Sequence, residues 1–164
     1  MREYTQQELD DLISCMKTII EPPRNEMILV NRHLRNDMKL RSIDEKYDFS
    51  VFMRKSIEFQ TNFSVGLVYR PKDHPEEIHL IRCNSAHRFI YISISEDPHF
   101  ATHIHRADAS NLNSGKREPK KKEITDAYTS YEGAVIYFMS LITVQDIDSC
   151  EYLAQLKQTS MFGI

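Results

Sequence analysis

Four of the seven histidines in the chain, His87, His99, His103 and His105, lie within one short stretch, and imidazole is the side chain best suited to proton transfer near neutral pH. His103 and His105 are two residues apart. On a β-strand that spacing puts both rings on one face with Cα atoms ~7 Å apart, and His99 joins the same row if the strand begins early. Phe100, Thr102 and Ile104 then point the other way, toward a core. Arg82, Arg88 and Arg106 flank the histidines, and a basic run holding Lys116, Arg117, Lys120, Lys121 and Lys122 follows.

Such a set allows three uses. Two imidazoles on one strand can bind a metal, but Asp97 and Asp108 are no more than near in sequence, the cysteines are remote, and no third ligand stands at a defined spacing. They can act as a general acid and base, which assigns His103, His105 and His87 as catalytic candidates. They can also contact phosphate beside guanidinium and ammonium groups. On this reading His99, Arg82, Arg88, Arg106 and the basic run form the ligand-binding set. Imidazoles for proton transfer and cations for phosphate oxygens are the components of a metal-independent ribonuclease. Tyr128, Tyr131 and Tyr137 follow the basic run and could add stacking groups, although Tyr137 falls within an apolar helical pattern.

The elements that must position these residues follow from the hydrophobic pattern. Thr5 and Glu8 match a capping box, and Leu9, Leu12, Ile13, Met16, Ile19 and Ile20 recur at helical spacing until Pro22-Pro23 ends the run. From Met27 to Ala107 short runs of aromatic and β-branched residues alternate with turn chemistry. Met38–Ile43, Phe49–Met53, Phe63–Tyr69, Ile78–Cys83, Phe89–Ile94 and Phe100–Ala107 are the strand candidates. The turn Pro71–Pro75 joins two of them directly. Residues 108–127 read as a long polar loop. Thr129 and Glu132 repeat the capping-box pattern before Val135, Phe138, Met139 and Ile142, and a further short helix begins after Asp148.

The expected fold is therefore α+β: a curved antiparallel meander of about five strands, with an N-terminal helix and two C-terminal helices packed on one face. The length of 164 residues suits one domain spanning the chain. Hydrophobic residues at 41% and charged residues at 27% are those of a globular protein. With 21 basic against 24 acidic residues and a net charge of −3, any phosphate binding must be local.

No apolar run is long enough to span a bilayer, and Met1-Arg-Glu-Tyr does not open a signal peptide, so a cytoplasmic location is expected. Cys15, Cys83 and Cys150 are remote from one another and read as reduced, buried residues. No phosphate-cradling glycine loop, GxSxG or HExxH is present, and no cofactor is implied.

The segments Ile78-His-Leu-Ile-Arg-Cys-Asn-Ser-Ala-His87 and Pro98-His-Phe-Ala-Thr-His-Ile-His105 resemble a group of small bacterial and phage proteins, over residues 45–145. In that group an arginine-bearing strand and a nearby histidine precede a Pro-His…His-x-His strand. The resemblance implies a mobile-element setting, such as a toxin–antitoxin or phage-defence system. The His-x-His pair also resembles the active strand of histidine-triad hydrolases, although Ala101 and Ala107 stand where the third histidine would fall.

The leading expectation is a protein that binds RNA, DNA or another phosphate-bearing ligand through a His/Arg face, with RNA cleavage as the associated activity. The alternative is a non-catalytic protein-binding module, an antitoxin or an inhibitor of a host defence enzyme. A homodimer is compatible with either.

Overall fold

The structure is a computed structural model that describes residues 2–59, 61–86, 101–116 and 121–162. It is an α+β fold in which helices cover one face of an eight-stranded antiparallel sheet. Strands β3 (His33–Ser42), β4 (Asp48–Ser56), β5 (Phe63–Arg70), β6 (Ile78–Asn84), β7 (His103–Arg106) and β8 (Lys121–Ile124) follow one another across the sheet as a meander. Strands β1 (Lys17–Glu21) and β2 (Ile28–Val30) share the outer edge of β3: β1 pairs with its second half and β2 with its first. The β2–β3 turn places Asn31 and Arg32 at positive φ, the geometry of a tight hairpin.

Period-two alternation builds the core. Met38 and Leu40 on β3, Phe49, Val51 and Met53 on β4, and Val65 and Leu67 on β5 are all buried on the face that meets the helices. Each fully buried side chain of this size contributes about 1.5–3 kcal/mol of transfer free energy. Helix α3 (Tyr131–Ile142) lies against β5 and β6, α1 (Gln6–Ser14) against α3 and β6, and α4 (Glu151–Phe162) against α3. A short helix, α2 (Ala109–Asn113), follows β7 and is capped by Asp108. Among the described residues, no helix is long and apolar enough to cross a membrane.

Several sequence expectations need correction. The Thr5–Glu8 capping box is present, but α1 stops at Ser14, and Lys17–Glu21 is a strand. Thr18, Ile19 and Ile20 are β-branched, and Thr18 and Ile19 pair with β3 ahead of a register shift at Ile20, so tertiary pairing overrides a spacing that also fits a helix. The sheet has eight strands rather than about five. Residues 108–127 are not one loop: they contain α2 and β8. Strand β8 is exposed and mostly charged, which suits an edge strand and leaves no hydrophobic periodicity to read. Helix α3 is capped by Ser130, not Thr129, with the Ser130 side chain accepting from Gly133 N. The proposed strand Phe89–Ile94 lies outside the described residues.

Lys17 ties three elements together. It is wholly buried, and its Nζ donates to Ile13 O at 2.7 Å, Cys15 O at 2.8 Å and Ile142 O at 2.8 Å. These carbonyls belong to the C-terminal ends of α1 and α3, where the helix dipole favours a cation. The ammonium also sits 4.9 Å from the centre of the Phe49 ring. Burial pushes its pKa down to about 8.

Candidate functional site: the open face of the sheet

The face of the sheet away from the core carries the candidate site, and the strand register defines its rows. Ser64 on β5 pairs with Asn84 on β6, and Asn84 with His103 on β7. The next row runs Asp37, Phe52, Gly66, Arg82, His105 and Lys122 from β3 to β8. Sequence spacing put His103 and His105 on one face, and the structure keeps them there, with Ile104 in the core between them.

Both histidines are buried. His103 is 0% exposed and His105 4% exposed. Their ring centroids are 4.8 Å apart. His103 Nδ1 lies 2.7 Å from Ala101 O, and because a carbonyl only accepts, this nitrogen carries the proton. Arg82 Nη2 lies 3.1 Å from His105 Nδ1, and because a guanidinium only donates, this nitrogen carries a lone pair. Tyr128 braces the end of the pair: its hydroxyl lies 2.9 Å from both Asn84 O and His103 O.

Beside this pair the open face hollows into a groove of about 370 Å³, lined by His33, Arg54, Asn62, Phe63, Ser64, Arg82 and Asn84. Two guanidinium groups line it, and among the described residues no carboxylate does. Arg54 is exposed and makes no ion pair with any described residue. Asn84 is 5% exposed, and its Nδ2 has no hydrogen-bond partner among the described residues. A buried donor left in this state costs about 1–3 kcal/mol.

The other candidates disperse. Arg106 pairs across the ladder with Ile81, which puts it on the core-bearing face away from Arg82, where it lies 3.8 Å from Glu123. Lys116 lines a small cavity with Tyr4, Pro71 and His74, beside the β5–β6 turn. Lys121 is the partner of Arg106, whereas Lys122 faces His105 on the open side. Tyr128 and Tyr131 are buried in the core and Tyr137 packs against it, so none of the three forms a surface stacking group. His87, His99, Arg88, Arg117 and Lys120 lie outside the described residues. Among the described residues, no group of three His, Cys, Asp or Glu side chains is placed to hold a metal ion.

The sequence reading missed Arg54, Ser64, Asn84 and His33. Alternation alone could have found Arg54, since Val51 and Met53 assign it to the opposite face of β4. Asn84 is a single short polar residue at a strand end. Its pairing with Ser64 and His103 becomes visible only once the register is known.

No protein family, curated protein or solved structure matches the chain.

Proposed function

We propose that the open face of the sheet binds a phosphate-bearing ligand, with the groove between Arg54 and Asn84 as the phosphate pocket. The observation behind this reading is the charge of the lining: Arg54 and Arg82 line a groove that no carboxylate of the described residues lines, in a protein whose net charge is −3. Guanidinium groups offer paired donors that match phosphate oxygens. The Asn84 amide adds a buried donor to the groove lining that has no hydrogen-bond partner among the described residues. His105 serves here as a positioning residue, because its Nδ1 accepts from the Arg82 guanidinium and orients it.

RNA cleavage by His103 and His105 has less support than binding. Their opposite tautomers suit an acid–base pair, but the burial of both rings keeps them from a polymer unless the site opens. Fluorescence polarisation with a labelled oligouridylate, competed by inorganic polyphosphate, tests the reading. The parent protein is expected to bind both, and Arg54→Ala with Asn84→Ala to weaken both by at least about tenfold, as for loss of a charged contact and a neutral one. Binding of neither polyanion by the parent would overturn the proposal and favour the non-catalytic protein-binding module. Cleavage of the oligonucleotide that is lost in His103→Ala with His105→Ala would add a ribonuclease step to it.

A further inference from the structure

We infer that the ligand of this face is a single-stranded nucleic acid, one base of which stacks on Phe52; the inference rests on the phosphate reading above and narrows it. Phe52 stands on the open face of β4, directly across from Gly66 on β5. A Cβ added to Gly66 would lie 2.5 Å from both Cε1 and Cζ of the Phe52 ring. The ring therefore lies down over the β5 backbone in space that any side chain at position 66 would fill. Gly66 has no positive φ, so the backbone does not require glycine here. A glycine inside a strand costs about 0.5–1 kcal/mol relative to alanine. What the glycine makes room for is the flat aromatic ring.

The surroundings of that ring fit a nucleotide. Phe52 is half-buried and presents part of its surface to solvent, with the His79 ring centroid 6.2 Å away. Arg54 is two residues along the same strand face, ~7 Å between Cα atoms. Arg82 is the β6 partner of Gly66 and so lies on the far side of the ring's resting place. Phosphate donors thus flank an aromatic platform at about the reach of one nucleotide. The open face then continues beyond Phe52 into a second groove of about 560 Å³ of mixed charge, where Lys39 pairs with Glu21 and Arg70 with Glu77, and Arg24 and Arg35 stand with Asp37. Arg35 makes no ion pair with a described residue there. An aromatic stacking surface beside the cationic groove of Arg54 and Arg82 is the chemistry that holds unpaired nucleotides with little regard to sequence. A duplex keeps its bases stacked on each other and offers none to Phe52.

The experiment compares oligouridylate, the same strand annealed to its complement, and polyphosphate on Phe52→Leu, Phe52→Tyr and Gly66→Ala, with a thermal melt of each variant to confirm folding. Stacking contributes about 1–3 kcal/mol per base, so Phe52→Leu is expected to weaken single-strand binding about tenfold and to leave polyphosphate binding unchanged. Phe52→Tyr is expected to bind like the parent, and Gly66→Ala, which lifts the ring, to weaken the single strand alone. The inference is overturned if Phe52→Leu binds the single strand as the parent does, if both polyanions weaken equally, or if the duplex binds as tightly as the single strand. A parent that binds polyphosphate but no oligonucleotide sinks this inference and leaves the phosphate pocket standing. A parent that binds neither removes both.

Discussion

Arg82 and His105 face each other across β6 and β7, with Arg82 Nη2 3.1 Å from His105 Nδ1. Beside them, the contact between His103 Nδ1 and Ala101 O assigns the opposite tautomer to the neighbouring ring. Two neighbouring imidazoles, tilted 38° to each other, thus carry their protons on different nitrogens. Long-range proton–nitrogen correlation spectra at neutral pH should show His105 protonated at Nε2 and His103 at Nδ1. Arg82→Met should abolish the bias at His105 and leave His103 as it was. Identical tautomers at both rings would show that the Arg82 contact does not control His105.

Phosphate binding in the groove of Arg54 and Arg82, as proposed, has a consequence for salt dependence. Each cation that neutralises a phosphate of a single strand adds about 0.7 to the slope of log affinity against log salt. Arg54 lines the groove and makes no ion pair with a described residue, so its charge is available to a ligand. Arg54→Gln is expected to weaken oligonucleotide binding and to flatten the salt dependence by about 0.7. Weaker binding with an unchanged slope would mean that Arg54 contacts something other than phosphate.

The legible part of the site was the part governed by one strand. Spacing alone placed His103 and His105 on one face and Ile104 in the core. The rule was not applied to Arg106. That residue follows His105 and so points the other way, toward Glu123, although proximity in sequence grouped it with the histidines. Strand β8 was illegible for a related reason. Its residues, Lys121 to Ile124, are held by backbone pairing to β7 and not by burial, so hydrophobicity carries no trace of it. The burial of the histidines was equally hidden, because it depends on packing around the sheet and not on the type or spacing of the residues themselves.

Alkaline conditions should separate groups that burial has shifted in opposite directions. Burial pushes the Cys83 thiol up to about 12 and the Tyr69 hydroxyl up to about 12. It raises Tyr128, Tyr131 and Tyr152 as well. For each of these acids the unfolded chain releases its proton first, so stability falls as pH rises: from ~8.5 for Cys83 and from ~10 for the tyrosines. Lys17 has the opposite sign. Its folded pKa of about 8 lies below the ~10.4 of an unfolded chain, so the unfolded state holds more protons between those values and stability rises there. Urea midpoints should therefore be nearly flat from pH ~8.5 to ~10 and fall steeply above it. Cys83→Ala should turn the flat region into a rise. A flat region that persists in Cys83→Ala would refute the compensation.

Lys17 also allows a test at neutral pH, where its protonated form uses all three N–H donors on Ile13 O, Cys15 O and Ile142 O. Lys17→Met keeps most of the apolar volume against Phe49 but strands three carbonyls at the ends of α1 and α3. At about 1–3 kcal/mol for each buried group left unsatisfied, the expected loss is at least about 3 kcal/mol, read as a lower urea midpoint at unchanged slope. Lys17→Arg should not restore it, because a planar guanidinium cannot direct three donors at carbonyls that converge on one tetrahedral nitrogen. Lys17→Met should also lose the stability gain between pH ~8 and ~10.4. A variant as stable as the parent would mean that desolvation of the ammonium cancels its hydrogen bonds, and that the junction of α1, α3 and β1 is held by its apolar contacts alone.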